Sequence, residues 1–294
     1  MLYPVLYYLV LVPLSSLPYV FIKGISSGFY YLLYYVFSYR KKIVLQNLRN
    51  AFPEKTEQEL NSLCRKFYKH LCDTVFEGLM CFTISRNSLL KHIRCDNPEI
   101  INGYFEKGQS VIIAIGHYGS WEFFLTGMNA LIKHQVVIIY TPLTNPFMEK
   151  KMMRARESFG TRMISKAEVK SFFEEKPAQP TATLFAIDQW PAKAKKPYWM
   201  RFLNQETAVA FGTEKYAKDS GQPVLYATIR KEKRGRYVIS FTPVCDEPKS
   251  TAYGFVTESI TGLLEKDIQK EPAYWLWSHR RWKQTKAEVE AENS

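Results

Sequence analysis

A histidine and an acid stand close together directly after the most apolar stretch of the chain. His117 and Glu122 are five residues apart in HYGSWEF, which follows the run VIIAIG. A carboxylate can hold one imidazole nitrogen while the other removes a proton, as in hydrolase triads. The pair could therefore deprotonate a hydroxyl that attacks a bound thioester, without a serine or cysteine nucleophile. By spacing alone, a loop histidine beside a glutamate that stabilises a helix N-terminus is an equally good interpretation.

Two further segments place polar side chains where they could join such a site. Asp188 and Gln189 follow the apolar run TATLFAI, although an aspartate that stabilises a turn explains this position equally well. Arg154 and Arg156 lie in KKMMRARESFG. A solvated helix face explains Arg154, whereas Arg156 could bind phosphate or stabilise charge on a carbonyl oxygen.

The closing segment PAYWLWSHRRWK sets tryptophans among basic residues. Such a mixture could bind nucleic acid, lie at a membrane surface or pack as a helix on the body. His70, His92 and His134 have no partner pattern, and we expect them to be structural or at the surface.

Apolar, β-branched runs alternate with helical patterns after the first forty residues. The predicted strands are 111–116, 135–140, 181–187, 223–230 and 236–244. Helices are predicted over 145–159, 208–219 and 251–270, after two earlier helices, the second of which begins near Thr56 with Glu59 at capping-box distance. The alternation predicts an α/β fold with a mostly parallel central sheet flanked by helices, ending in an antiparallel hairpin. Ligands gather at the carboxyl ends of parallel strands, so His117 and Asp188 stand where a site is expected.

The N-terminus is strongly apolar. Its first 22 residues carry no charged side chain, and as a helix they would span about 33 Å, enough to cross a bilayer. Pro13 and Pro18 could kink that helix or mark a segment that enters one leaflet and returns. A second run, GFYYLLYYVFSY, follows a short GISS loop and precedes the basic cluster RKK, which is typical of a helix at the headgroup boundary. The alternative is a buried helical hairpin of a soluble protein.

The composition excludes a disordered chain and favours anionic partners. Among 294 residues, 46% are hydrophobic and 15% aromatic, and 40 Lys and Arg against 28 Asp and Glu give a net charge of +12. Such a field attracts nucleic acid, anionic lipid or an acidic carrier protein. The five cysteines contain no C-x-x-C pair, so neither a disulfide framework nor a structural zinc site is expected. No metal and no redox cofactor are indicated.

Five blocks, in their order along the chain, resemble the bacterial lipid A biosynthesis acyltransferases of the lauroyl/myristoyl type, within the lysophospholipid acyltransferase superfamily. They are GHYGSWEF, RESFG, IDQWP, FLNQETAVAFGTEKYAKDSGQPV and PAYWLWSHRRWK. The similarity extends to about Lys283. The H-x4-D/E box alone is shared with glycerolipid acyltransferases generally, whereas the combined blocks are far more specific.

This resemblance implies a membrane-bound transferase that moves a fatty acyl chain from a carrier thioester, usually of acyl carrier protein, to a hydroxyl of a lipid A precursor. It also implies a catalytic domain on the cytoplasmic side of the bacterial inner membrane. In that family the box histidine is the general base and the acidic residue supports it, which falls here on His117 and Glu122. Residues 1–43 are then the membrane anchor and interfacial helices, and residues 44–294 the acyltransferase domain.

The resemblance also assigns substrate-binding or architectural roles to Arg156, Asp188 and Gln189. Tyr118, an aromatic residue inside the box, departs from the family's pattern and is expected to shape the acceptor pocket. A second departure is the pair of apolar runs where a single spanning helix is common. The resemblance includes the closing block without giving its task, and the matching residues are Trp277, His279, Arg280 and Arg281.

Two other functions compete with this one. The same chemistry could act on a lysophospholipid, an aminolipid or a phosphoinositol glycolipid. A non-catalytic, membrane-tethered binder of anionic lipid or nucleic acid would use the basic groups but would give His117 no reason to be paired with an acid. The prediction is therefore a lipid acceptor and acyl carrier protein as partners, and no nucleic acid.

Overall fold

The chain folds around one large sheet and a small separate hairpin. The structure is a computed structural model and describes residues 2–191 and 197–292. The strands are β1 (Ile93–Cys95), β2 (Val111–Ile115), β3 (Gln135–Tyr140), β4 (Arg162–Ser165), β5 (Thr181–Ala186), β6 (Tyr198–Phe202), β7 (Gln205–Val209), β8 (Val224–Lys233) and β9 (Arg236–Cys245). The helices are α1 (Leu2–Ser15), α2 (Tyr19–Val36), α3 (Lys41–Ala51), α4 (Glu57–Met80), α5 (Arg86–Leu89), α6 (Pro98–Glu106), α7 (Trp121–Gly127), α8 (Pro146–Glu157), α9 (Val169–Glu174), α10 (Gly212–Ser220), α11 (Phe255–Lys270) and α12 (Lys286–Glu292).

The sheet has seven strands in the order β1-β9-β8-β2-β5-β3-β4. Its pairs are parallel except for β8 with β9, which are antiparallel. The predicted α/β class, the mostly parallel sheet and the final hairpin are therefore confirmed. The connections between parallel strands run through helices, as parallel pairing requires.

Strand β2 lies near the middle of this sheet and is buried along its whole length. Its side chains alternate between two cores because successive residues of a strand face opposite sides. Ile112 and Ala114 belong to one core, while Val111, Ile113 and Ile115 belong to the other. A strand covered on both faces must be apolar throughout, which explains why this run shows no polar alternation.

The long helix α4 contributes to both cores. Its start matches the prediction, since Thr56 accepts a hydrogen bond from the backbone of Glu59 and the Glu59 carboxylate accepts one from the backbone of Thr56. This capping box satisfies two N–H groups that the first turn leaves without helical partners.

The region predicted as a helix over 208–219 is a strand at its start. Ala208 and Val209 end β7, and α10 begins only at Gly212. The preceding hairpin of β6 and β7 was not predicted because its two-residue turn is Leu203-Asn204, both with positive φ. Two-residue turns of this kind usually contain Asn-Gly or Gly-Gly, and this one contains neither.

The N-terminal segment forms two helices bent by 115°. The break falls at Pro18, and the GISS segment expected as a loop lies inside α2. No single helix among the described residues is long and apolar enough to cross a membrane, although α1 and α2 together pass that test of length and composition. The boundary predicted after residue 43 falls inside α3.

Candidate active site

His117 and Asp188 meet at the carboxyl edge of the sheet. Strands β2 and β5 are parallel neighbours with Ile115 opposite Ala186, so the second residue after each strand arrives at the same place. The imidazole Nδ1 of His117 lies 2.7 Å from Oδ1 of Asp188. The backbone N–H of His117 also donates to Oδ2 of Asp188, over 2.7 Å. Residues 71 positions apart thus form one hydrogen-bonded unit.

Asp188 is almost fully buried and accepts a third hydrogen bond. The indole Nε1 of Trp275 donates to Oδ2 over 2.8 Å. Burial alone would raise the pKa of this carboxyl, but the charge and hydrogen bonds of His117 and the bond from Trp275 outweigh it and lower the pKa to about 2. Asp188 is therefore a carboxylate, able to accept from Nδ1–H and stabilise a positive charge on His117.

The other nitrogen of His117 faces the opening of the site. Burial lowers the pKa of His117, but the charge and hydrogen bond of Asp188 reverse the effect, so the net pKa is raised. The side chain remains 21% exposed, and Nε2 lies 3.2 Å from the amide nitrogen of Gln189. With Nδ1–H directed at Asp188, Nε2 carries the lone pair, and an incoming hydroxyl could take the place of the Gln189 amide.

Glu122 does not hold the imidazole, contrary to the prediction from the five-residue spacing. Its two carboxylate oxygens each lie 3.0 Å from Nη2 of Arg156. Glu122 sits in the first turn of α7, and the short turn after β2 leaves the Nδ1 side of His117 to β5. The Glu122 charge still raises the pKa of His117, and the Arg156 charge lowers it, so both groups act at the site.

Gly78 leaves room for the Glu122 side chain to pack against α4. A Cβ atom at Gly78 would lie 3.1 Å from Cγ of Glu122. A pocket of about 260 Å³ opens beside the pair and is lined mainly by apolar side chains, including Leu79, Phe82, Trp121 and Met152. The Trp121 ring also packs edge-on against the His117 imidazole, at 5.6 Å between centroids.

Tyr118 points away from this opening. It is 5% exposed, and its hydroxyl donates to the backbone carbonyls of Asp267 and Glu271, each at 3.1 Å. The expectation that Tyr118 shapes the acceptor pocket is corrected, because this side chain ties the loop after β2 to the end of α11. Gly119 follows with φ of +63°, and a Cβ there would lie 2.6 Å from the carbonyl oxygen of Ile229.

The closing block, PAYWLWSHRRWK, packs on the buried side of Asp188. Trp275, which sequence reasoning did not single out, anchors Asp188, while Trp277 is fully buried and packs against Trp275. His279 accepts a hydrogen bond from the backbone of Trp190. Arg281 is 1% exposed, and burial lowers the pKa of its guanidinium to about 10, against the raising effect of the Asp188 charge. The dense tryptophans were a signal for this packing role, since a buried indole needs a hydrogen-bond acceptor.

The described residues contain no group of three or more His, Cys, Asp or Glu side chains arranged to hold a metal ion.

A histidine–aspartate pair at the carboxyl edge of a parallel sheet, beside a half-buried Glu–Arg pair and an apolar pocket, is suited to general-base catalysis on a partly apolar substrate. A profile described as "Bacterial lipid A biosynthesis acyltransferase" matches residues 2–284. The chain belongs to this family.

Curated relatives carry matching names at low identity. The lipid A biosynthesis palmitoleoyltransferase of Escherichia coli (strain K12) is 23% identical over 250 residues, which cover 83% of this chain and 79% of that protein. The lipid A biosynthesis lauroyltransferase of the same strain is 22% identical over 270 residues, 91% of this chain and 87% of that protein. A lipid A biosynthesis acyltransferase of Haemophilus influenzae is 20% identical over 272 residues, 91% of this chain and 86% of that protein. The similarity is therefore spread over most of each chain.

Proposed function

We propose that this protein transfers a fatty acyl chain from a carrier thioester to a hydroxyl of a lipid A precursor, with His117 as general base. The observation that carries the proposal is the hydrogen bond between Nδ1 of His117 and the Asp188 carboxylate, which leaves Nε2 at the open side of the site. Membership of the lipid A acyltransferase family supports both the reaction and the class of acceptor.

The reaction then needs one proton carrier and no covalent enzyme intermediate. Nε2 of His117 takes the proton of the acceptor hydroxyl as its oxygen bonds to the thioester carbonyl carbon. The tetrahedral intermediate collapses with cleavage of the C–S bond, and the imidazolium returns its proton to the departing thiolate. Asp188 stabilises the imidazolium between these steps. General-base assistance of this kind contributes a factor on the order of 10²–10⁴ in rate.

Arg156 and Glu122 act together beside this base. Nη2 of Arg156 is committed to Glu122, which orients a guanidinium that remains 15% exposed. Its other N–H groups form no hydrogen bond with any described residue and could stabilise the negative charge that develops on the thioester oxygen. In this role Glu122 positions Arg156 and adjusts the charge around His117, while Gln189 holds Nε2 until the acceptor replaces it.

The apolar pocket beside Trp121 and Glu122 is suited to the acyl chain. It lies between α4, α7 and α8, directly behind the ion pair. A chain entering there would bring its thioester end toward Arg156 and His117.

The charge and the apolar surface of the protein support the donor and the location that we propose. A net charge of +12 and the exposed cations Lys150 and Arg154 on α8 favour an acidic acyl carrier protein as donor. Most of the exposed large hydrophobic side chains of the described residues lie between Leu2 and Tyr39. Buried in a bilayer surface, these side chains would hold the site at the cytoplasmic face of the inner membrane, where a lipid acceptor is available.

The test is transfer by the purified full-length protein in a neutral detergent. Acyl carrier protein with a labelled acyl chain is supplied with a lipid A precursor that lacks one secondary chain, and the product is measured by mass. We expect His117→Ala to lose at least about 10²-fold in rate with the fold intact by circular dichroism. His92→Gln, a change outside the site, serves as the matched control. Undiminished transfer by His117→Ala would refute the mechanism, and transfer from acyl-CoA but not from acyl carrier protein would refute the donor.

A further inference from the structure

A second cavity lies behind the catalytic loop, on the side of the molecule that carries α2. Its volume is about 480 Å³, within the range of ligand sites. Four cations line it, namely Lys66 and Lys69 from α4 and Lys231 and Arg234 from the β8–β9 hairpin. We call it the basic cavity. None of these residues takes part in the transfer site around His117.

The positive charge in the basic cavity is only partly neutralised. Asp73 and Glu271 are the acids in its lining, so the four cations leave an excess of two positive charges. Asp73 is already engaged, since it accepts hydrogen bonds from Arg234 and from Ser26 of α2 at 2.6 and 2.7 Å. Lys66 and Lys69 form no ion pair with any residue that the structure describes.

Lys231 is the most informative of the four cations. Its side chain is only 11% exposed, and its nearest carboxylate oxygen, Oδ2 of Asp73, is 3.5 Å away, at the limit of a hydrogen bond. An ammonium group has three donors, and burial makes unused donors costly. The Nζ atom of Lys231 also lies 5.3 Å from the centroid of the Tyr274 ring, which lines the same cavity. A ring and one long hydrogen bond leave ammonium donors to spare, and such a lysine at the wall of a cavity is a feature of an anion site.

His70 gives a second, independent indication. Its side chain is 3% exposed and lines the same cavity. Nε2 lies 3.3 Å from the carbonyl oxygen of Gly119, so the ring proton is on that side. Nδ1 is buried and has no hydrogen-bond partner among the described residues. A ligand oxygen that carries a proton, or an anion that stabilises a protonated ring, would satisfy this nitrogen.

The remaining wall comes from α2 and from the segment after α11, through Ser26, Ser27, Tyr30, Tyr31, Ala273 and Tyr274. The ring of Tyr31 is 61% exposed, next to other exposed apolar side chains of the N-terminal helices. The hydroxyls of Ser26 and Ser27 already donate to Asp73 and to the backbone carbonyl of Lys23, so the cations are the donors left for a ligand. Aromatic rings and a surplus of cations beside an apolar surface match a phosphate group carried on a lipid.

We propose that the basic cavity binds the phosphate group of an anionic lipid, at a site separate from the site of acyl transfer. Lys66, Lys69 and Lys231 supply the charge, and His70 contacts the same phosphate through Nδ1. The ligand would lie one layer behind the catalytic loop, because His70 rests on Gly119, two residues after His117.

The experiment titrates the full-length protein with three probes, in an uncharged detergent and without acyl donor. Two are lipids used below their critical micelle concentrations, dihexanoyl phosphatidic acid and zwitterionic dihexanoyl phosphatidylcholine. The third is inorganic phosphate. Binding is measured by calorimetry and by ¹⁵N-histidine NMR. His134 is an internal control, since it is also buried with an unpartnered Nδ1 but lies outside the basic cavity.

Phosphatidic acid is expected to bind and to shift the His70 resonances while those of His134 stay in place. Lys66→Ala with Lys69→Ala should weaken this binding by roughly tenfold or more. The matched control, Lys166→Ala with Lys170→Ala, removes the same charge from exposed positions beside β4 and on α9, outside the basic cavity, and should leave the affinity unchanged.

The two phosphate probes distinguish the sources of the group. Inorganic phosphate that shifts His70 as phosphatidic acid does indicates a site that recognises phosphate alone, while a response to the lipid only indicates a site that also contacts the glycerol ester. The proposal is overturned if neither probe moves His70, if phosphatidylcholine binds as tightly as phosphatidic acid, or if both double variants lose affinity equally. Because no acyl donor is present, none of these results bears on His117.

Discussion

Three donors converge on the carboxylate of Asp188, and two of them belong to His117. The backbone bond fixes where the loop after β2 ends, and the side-chain bond fixes which imidazole nitrogen carries the proton. Removing the charge but keeping the shape of this residue therefore tests the electrostatic part of its role.

We expect Asp188→Asn to lower kcat/KM by roughly 10²–10⁴-fold, since the imidazolium loses its counter-charge and the tautomer is no longer fixed. The pH dependence of activity shows the direction in which Asp188 shifts the pKa of His117. His117 must be neutral to act, and Asp188 raises its pKa above the ordinary value of 6.5, so activity of the unmodified protein falls as the pH drops through a value above 6.5. In Asp188→Asn burial dominates, and this acid limb moves to lower pH.

The measurement is a pH–rate profile between about pH 5 and pH 9. Glu122→Gln is the comparison, because it removes a charge that acts on His117 without a hydrogen bond and should move the acid limb less. An acid limb that stays in place in Asp188→Asn would contradict the assignment of Asp188.

Sequence reasoning named these residues but joined them wrongly. Glu122 is five residues from His117, and Asp188 is 71 residues away. The short spacing favours Glu122 as the partner of His117, whereas the register of β2 against β5 brings Asp188 next to it. The equal offset of two residues from the two strand ends was the available signal. Using it required knowing that these strands are neighbours, which periodicity alone does not give.

At the scale of elements, the loop between β2 and α7 has little conformational freedom. Gly119 combines a left-handed φ with a close approach to the backbone of β8. We expect Gly119→Ala to destabilise the fold by at least about 2 kcal/mol and to reduce transfer, because a Cβ meets a carbonyl oxygen that cannot move without its strand. Chemical denaturation checks this, with Gly103→Ala as the control, since Gly103 is in α6 and has open space around its Cβ position. Equal stability of the two variants would contradict it.

Helix α8 carries basic residues on two faces, one toward the site and one toward solvent. Arg156 points inward to Glu122, while Lys150 and Arg154 are exposed. If the donor is an acidic carrier, Lys150→Glu with Arg154→Glu should raise KM for acyl carrier protein by about tenfold or more and leave kcat nearly unchanged, since the site itself is intact. Steady-state kinetics with acyl carrier protein and with acyl-CoA separates the two effects. A comparable rise in KM for both donors would argue against a carrier surface on α8.

Elements with long apolar runs were predictable, and short ones were not. The adjacent parallel strands β2, β5 and β3 follow the β-branched runs closely. Strand β1 has three residues and β4 has four, too few for any periodicity to show. These edge strands gain their stability from pairing with β9 and β3 rather than from their own composition.

For the molecule as a whole, the question is whether the apolar N-terminus is a detachable anchor. Helix α2 donates from Tyr19 to Glu77 and from Ser26 to Asp73, and its Ile22 is almost fully buried. Glu77 has no exposed surface, and burial raises the pKa of its carboxyl. The segment therefore covers polar groups of α4 that a separate anchor would leave alone.

We expect deletion of residues 1–36 to lower the free energy of unfolding by at least about 2 kcal/mol, because Asp73 and Glu77 lose partners and apolar surface is uncovered. Deletion of residues 1–15, which leaves α2 in place, should cost less. Denaturation of the three proteins in the same detergent compares them. A 1–36 deletion as stable as the full chain would show that the body folds independently of these helices.

The bond from Trp275 to Asp188 has a consequence for the order of events during synthesis. The carboxylate that orients the general base is completed by an indole 87 residues further along the chain, beyond α11. A nascent chain that has emerged only as far as the residues after β5 has His117 and Asp188 available but lacks this donor. We expect such a chain to have an unfinished proton relay, so turnover must await synthesis of the segment after α11.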